Sequence, residues 1–366
     1  MASRAAAPEE APLPPGWRGS TFDSRQNRRS KMGAKPSTSM SNQDLAVGID
    51  IGGTNTRIGL VDRTGVLRRS VNIPTETQAP AGDFLHQLAS QSLHLLDQAA
   101  VARDRVAGIG VGCPGPLSPS RGVVFGPANL PTWKDVAVCR ALSEKTSLPV
   151  VLDNDANAAA WGEYQAGAGR GVRDLVLLTL GTGIGGGVIT GGRLLHGHFE
   201  NAAELGHMIV VPAGRACNCG QRGCLEAYAS AHQTARRAEE ALAGQPHSFL
   251  RPVLEETGRL VCEDVVAAAR QGDDLAGRIW EETCQCLAVA CVNLQHAFNP
   301  ARIILGGGMA GSGDILLTPV RQALARLTWK LCDDRPEIVL AELGNDAGLI
   351  GAAGLVFEVG EPSPAS

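Results

Sequence analysis

One pattern occurs twice in this chain and limits its fold more than any other feature. At 45–67 the sequence reads LAVGIDIGGTNTRIGLVDRTGVL, and at 174–195 it reads DLVLLTLGTGIGGGVITGGRLL. Each copy is an apolar strand, a turn of Gly and Thr, a second strand and a further turn, which is a meander entering a sheet. Two copies of one layout, far apart in sequence and without close identity, predict a duplicated α/β domain with a cleft between its halves.

The segments between and after the copies alternate strand and helix. Residues 82–103 carry Phe84, Leu85, Leu88, Leu95, Leu96 and Ala99 at roughly helical spacing, VAGIGVG (106–112) predicts a buried strand, and KDVAVCRALSEKTS (134–147) a helix. PVVLDNDA (149–156) predicts a strand that ends on polar residues, followed by an Ala-rich helix, NAAAWGEYQAG. Further helices are expected over 226–243, 262–271 and 275–298, then a buried strand running into a glycine loop at 301–314 and a closing helix at 345–359.

A chain of 366 residues has room for one large or two ordinary domains. A net charge of −4, a pI near 6.1 and 4% aromatics argue against a nucleic-acid partner, which needs clustered positive charge or base-stacking surfaces. Ten cysteines without a signal peptide point to a reducing compartment, and no apolar run reaches membrane-span length, so no membrane partner is expected and the location is read as cytoplasmic. Residues 1–44 are rich in Pro, Ser, Ala and Arg with almost no apolar periodicity. They read as a disordered extension, with a docking role or a natural start at Met40 as alternatives.

Three glycine clusters follow apolar strands: Gly52, Gly53, Thr54 and Asn55; Gly181, Thr182 and Gly183; and Gly306, Gly307 and Gly308. Glycine lets backbone N–H groups close around phosphate oxygens, and Thr hydroxyls add donors. Asp50, at the mouth of the strand before the first cluster, is placed to orient a hydrated Mg²⁺. The chain has no G-x-x-x-x-G-K-[ST] motif. GTGIGG (181–186) matches a dinucleotide fingerprint in letters, but its flanks read strand–turn–strand where that motif requires strand–turn–helix.

LDNDAN (152–157) places Asp153, Asn154, Asp155 and Asn157 at a strand end, where α/β sheets keep their chemistry. Phosphoryl transfer to an alcohol needs a carboxylate beside the attacking hydroxyl and polar groups that fix the acceptor, and Asp155 with Asn154 supplies both. Asp153 or Asn157 is then left for helix capping or structural work. Asn129 in a Pro/Gly-rich loop, Glu204, His207 and Glu226 complete a set suited to sugar hydroxyls, each of which donates and accepts. His207, Cys217, Cys219 and Cys224 form a Cys₃His set, a common composition for a closed structural Zn²⁺ site, with Gly220 and Gly223 supplying the turns. The other seven cysteines read as small core residues.

Taken together, DIGGTN (50–55), NDAN (154–157), LGTGIGGG (180–187), ELGH (204–207) and CNCGQRGCLE (217–226) resemble the ROK family of bacterial sugar kinases and related repressors. The resemblance runs from about Leu45 to Val359. It implies an actin/hexokinase-like α/β fold of two ribonuclease-H-like domains with an active-site cleft between them. The expected division is 45–157, completed by a C-terminal helix at 345–359, and 158–344 with the zinc site and nucleotide loops, leaving 360–366 as a tail. It implies Asp155 as the catalytic base and Gly115, Asn129, Asn154, Glu204, His207 and Glu226 around the sugar, with His207 also ligating zinc. Asp50 and the first two glycine loops would hold Mg²⁺ and the phosphates of ATP, with 306–308 near the adenosine, in a homodimer or homotetramer. The ANLPTW loop looks like those of the family's glucokinases, so the expected activity is ATP-dependent phosphorylation of D-glucose at its 6-hydroxyl. An N-acetylmannosamine or N-acetylglucosamine kinase is the alternative enzyme. A sugar-sensing regulator is the alternative of another class, disfavoured because Asp155 is present and 1–44 has no pattern for a DNA-binding module.

Overall fold

A computed structural model describes residues 43–127, 129–329 and 335–359. The disorder expected for 1–44 (except residues 43 and 44), the tail at 360–366 and the core role expected for Cys332 lie outside these residues.

The first lobe opens with β1 (Leu45–Ile51), β2 (Asn55–Asp62) and β3 (Leu67–Pro74), followed by α1 (Ala81–Gln98), β4 (Val106–Cys113) and a small hairpin of β5 (Leu117–Ser118) and β6 (Val123–Val124). Next come α2 (Val138–Thr146), β7 (Val150–Asn154) and α3 (Asp155–Ala166). The second lobe contains β8 (Leu175–Leu180), β9 (Ile184–Thr190), β10 (Arg193–Leu194), α4 (Glu226–Ala229), α5 (Ala231–Ala241), α6 (Leu250–Thr257) and α7 (Cys262–Arg270). It continues through α8 (Asp274–Phe298), β11 (Arg302–Gly306), α9 (Asp314–Leu327) and β12 (Glu337–Leu340), and α10 (Ala347–Val359) follows.

Among the described residues the duplication is plain in topology. One five-stranded sheet has the order β3-β2-β1-β4-β7 and the other β10-β9-β8-β11-β12. In both, the first hairpin and its neighbour are antiparallel and the remaining pairs parallel. The central strands β1 and β8 are nearly continuous apolar runs because both their faces are covered. On one face of the first sheet, Val47, Ile49 and Ile51 pack with Phe84 and Leu88 of α1. On the other, Ala46 and Val61 pack with Ile350, Ala353 and Phe357 of α10.

That second face is nearly backbone on backbone. A methyl at Gly110 of β4 would stand 1.7 Å from the Ala352 carbonyl oxygen, and one at Gly351 would stand 1.6 Å from the Ala158 carbonyl oxygen of α3. α10 therefore seats against β1, β4 and α3 only because small residues line the contact. The fully buried Glu163 of α3 ties the same region together, its carboxylate accepting from the N–H groups of Ala168 (2.7 Å), Glu342 (3.1 Å) and Leu343 (2.8 Å). In the second lobe, β8, β9 and β11 share a core with α8 and α9, while α5, α6 and α7 form a satellite cluster against the start of α8.

Several expectations are corrected. Helix α3 starts at Asp155, ahead of the Ala-rich run that opens at Asn157, because Asn154 caps it, accepting from the N–H groups of Ala156 and Asn157. Of the two kinds of work left to Asp153 and Asn157, they do the structural one, the Asn157 side-chain amide donating to Asp153 Oδ1 at 2.9 Å. The helix expected over 226–243 is broken at Ser230, whose hydroxyl caps α5. Helices α6 and α9 and strand β12 were not foreseen. Among the described residues no helix is long and apolar enough to cross a membrane.

Candidate active site

The C-terminal ends of β7 and β8 open onto a cavity of about 380 Å³. Gly115, Asn154 and Asp155 of the first lobe line it. Opposite them stand Gly181, Thr182 and Gly183, then Glu204, His207 and Glu226, with Gly307 at the rim. Sequence reasoning placed all of these at a site. It missed Pro114, Thr179, Ala202 and Ala203 in the same wall, which are small or apolar and carry no chemical signature in sequence.

Asp155 is the first residue of α3, with Oδ1 accepting the Ala156 N–H at 2.8 Å. Removal from water raises its carboxyl above the ordinary carboxylate range, and the Glu204 carboxylate acts in the same direction against that hydrogen bond. A carboxylate made more basic by its surroundings is suited to accept a proton from an alcohol. Asn154 spends its carbonyl oxygen on the helix cap, at 2.9 Å from the Ala156 N–H. Its amide nitrogen points to Gly115, where an added methyl would stand 3.7 Å away.

Glu226, at the start of α4, holds the second glycine loop in shape. Its Oε2 accepts the Ile184 N–H at 2.9 Å, and a methyl at Gly183 would come within 2.6 Å of that oxygen. Glycine at 183 is thus required by the approach of a carboxylate. The loop closes with a 3.0 Å bond from the Gly181 N–H to the Gly183 carbonyl.

The first loop lies outside the cavity wall. The Gly52 N–H bonds the Asn55 carbonyl at 3.1 Å, and the Thr75 hydroxyl donates to the Gly52 carbonyl at 2.8 Å, so Gly53, Thr54 and Asn55 form an exposed turn. Asp50, below that turn, feels the Asp155 charge. Burial and that charge push its carboxyl up to about 7, with Arg57 opposing. Asn129 does not line the cavity. It is exposed beside the first turn, 3.6 Å from where a methyl on Gly53 would stand. Gly306 ends β11, and Gly308 lines a separate cavity of about 280 Å³ with Cys262, Glu263 and Arg270.

His207, Cys217, Cys219 and Cys224 present ligand atoms that all lie within 4.8 Å of one another. Cys217 Sγ is 3.7 Å from His207 Nδ1, and the Cys219 and Cys224 sulfurs are also 3.7 Å apart. Sulfurs bound at ~2.3 Å to one tetrahedral zinc stand ~3.8 Å apart, so the four residues suit that ion. Gly220 and Gly223 both adopt left-handed φ values, 91° and 83°, which turn the knuckle as expected.

A twice-built sheet, glycine turns at the strand ends and a basic carboxylate in the intervening cavity define an α/β phosphotransferase of the actin/hexokinase-like class. The chain belongs to the ROK family, whose model matches residues 46–359. The glucokinase of Halalkalibacterium halodurans is 38% identical over 311 residues, covering 85% of this chain and 94% of that protein. The N-acetylmannosamine kinase of Escherichia coli is 32% identical over 308 residues, covering 83% of this chain and 96% of the other. Among solved structures, a ROK family glucokinase from Streptomyces griseus in complex with glucose and AMPPNP has a TM-score of 0.73 and 34% identity, covering 86% of this chain and 99% of that one.

Proposed function

We propose that this ROK family sugar kinase is an ATP-dependent glucokinase that phosphorylates D-glucose at its 6-hydroxyl. The observation that carries the reading is the cavity in which Asp155 and Asn154 face Glu204, His207 and Glu226 beside a glycine turn. The relatives named glucokinase, and the glucose and AMPPNP bound in the Streptomyces griseus structure, support the same substrates.

In this reading Asp155 takes the proton of the sugar 6-hydroxyl as its oxygen bonds to the γ-phosphorus of ATP. The bond from that phosphorus to the β,γ-bridging oxygen breaks, and ADP leaves. Asn154, Glu204, His207 and Glu226 orient the sugar, with Gly115 giving room for close approach. The N–H groups and Thr hydroxyls of 52–55 and 181–183 receive the phosphates, and 306–308 lie toward the adenosine. Asp50 and the phosphates would hold Mg²⁺, which supplies charge neutralisation on the phosphoryl oxygens. The Cys₃His set would hold Zn²⁺ with all four positions filled, so its work is to join the segment bearing Glu204 and His207 to the one bearing Glu226. We place the working form in the cytoplasm as a homodimer or homotetramer.

The second reading, an N-acetylmannosamine kinase, is favoured by the relative at 32% identity. A coupled ADP-release assay with Mg-ATP against glucose, mannose, fructose, N-acetylglucosamine and N-acetylmannosamine separates the two. Selective turnover of glucose is expected. Selectivity for an N-acetyl sugar would move the substrate assignment, and silence on every sugar would overturn the kinase reading.

A further inference from the structure

Loop 195–204 joins the two walls of the cavity, and His196 stands at its start. The His196 Nε2 is 2.7 Å from Asp153 Oδ2, in the first lobe. The His196 carbonyl accepts the N–H of Ala202 at 3.0 Å, in the second. Ala202, Ala203 and Glu204 line the cavity directly after. Two further links bridge the same gap: the Ser118 hydroxyl donates to Glu200, and Asn201 Oδ1 accepts the Leu117 N–H at 3.3 Å. Glu200 and Ala203 hold left-handed φ values, 59° and 66°, that side chains rarely adopt, so the loop keeps its shape against local preference.

Asp153 is buried, and both its oxygens are engaged. While Oδ2 meets His196, Oδ1 accepts the Asn154 N–H at 2.7 Å and the Asn157 side-chain amide at 2.9 Å. These two donors bracket Asn154 and Asp155, one from the strand side and one from the first turn of α3. Fixing Asp153 therefore fixes the residues that present the base and the sugar-binding amide.

We propose that His196 is a positioning residue for phosphoryl transfer: through Asp153 it sets the junction bearing Asp155, and through its own carbonyl it sets the loop bearing Glu204. The inference rests on the kinase reading above. The groups facing the imidazole are Asp153 from β7, Glu200 from its own loop and Glu358 from α10, with Arg193 of β10 acting on Glu358. The hydrogen bond to Asp153 leads these in raising the imidazole above its ordinary value, and burial opposes it. With the folded value raised, the charged pair is fully formed below the ordinary imidazole range and weakens as pH rises through the raised value.

The test uses the full chain with His196→Ala, His196→Gln and Asp153→Asn. His196→Ala is expected to lower kcat about 10- to 100-fold through misplacement of the base, with KM for ATP within about twofold of the parent. His196→Gln keeps an N–H in place of Nε2–H and is expected to restore kcat to within about threefold of the parent. The imidazole of His196, followed by NMR, is expected to titrate above about 6.5 in the parent and to fall toward that value in Asp153→Asn. The proposal is overturned if His196→Ala keeps kcat within about twofold, or if His196→Gln is as slow as His196→Ala while both melt like the parent. An ordinary titration in the parent overturns it too. Should His196→Ala fail to fold, the Gln variant and the titration decide. A parent silent with every sugar would instead sink the kinase reading and the role in turnover with it, while the titration still reports the bond.

Discussion

A general base for an alcohol works only when ionised and is most useful when its pKa approaches the working pH. Burial, and after it the nearby Glu204 charge, move the Asp155 carboxyl upward from its ordinary value, in the direction that the proposed role requires. The protonated form cannot accept the sugar's proton, so kcat falls as pH drops through the raised value, above the about 4 of an exposed aspartate. A pH profile of glucose turnover checks this, and an acid limb at the ordinary carboxylate value would contradict it. Asp155→Asn is expected to lower kcat by about 100- to 10,000-fold while glucose affinity, measured calorimetrically, stays within a few-fold. Near-parental turnover would remove Asp155 from the role. Asp155 was legible as the polar end of an apolar strand. His196 was not, because its partner Asp153 is chosen by tertiary packing and neither residue has a local pattern. Asn129 illustrates the converse: its chemistry was read from the loop composition, but composition does not say which wall a loop residue joins.

At the level of elements, the cysteine knuckle joins two stretches with no regular secondary structure long enough to hold them. Isolated bridges pair Ile209 with Cys224 and Ala216 with Arg222, and short backbone bonds such as that from the Gly223 N–H to the Arg215 carbonyl, 2.8 Å, shape the loop around the four ligands. Cys219→Ser should therefore lose metal and stability together, since ligand binding and local folding are one equilibrium at such sites. Metal analysis and thermal melting read the two, with a fall in Tm of about 5 °C or more expected. A metal-free variant that melts like the parent would remove the structural-zinc role. The strand–turn–strand repeat was legible because both copies combine a period change with glycine punctuation. Helix α9 was not, because Pro319 interrupts its apolar pattern. In α6, Pro252 sits in the first turn, where a missing N–H costs nothing, yet the helix is too short to declare a period. Strand β12 has four residues and borrows its register from β11.

For the whole molecule, the decisive contact is α10 against the first sheet. Gly351→Ala would drive a methyl into the Ala158 carbonyl, where α3 and the helix meet at backbone distance. Overpacking of this kind is expected to cost about 3 kcal/mol or more, because backbone cannot yield as a side chain does. Gly277→Ala in α8, where an added methyl meets nothing within 4 Å, is the matched comparison and should gain about 0.5–1 kcal/mol. Denaturant melts of both variants check the pair, and equal effects would show that the seam is looser than its geometry. The alternation of small residues in α10 was readable as a helix, but which surface it meets is a property of topology, not of its own sequence.

The seam has a consequence for how a ribosome delivers this protein. Among the described elements α10 comes after all the others, yet it covers one face of the sheet that β1 begins. During synthesis that face stays open to water while the second lobe is made, and the apolar positions Ala46, Val61 and their neighbours stay within reach of other nascent chains. The half of the molecule translated first is therefore the half completed last, and the interval between the two is when a chaperone has the most to bind.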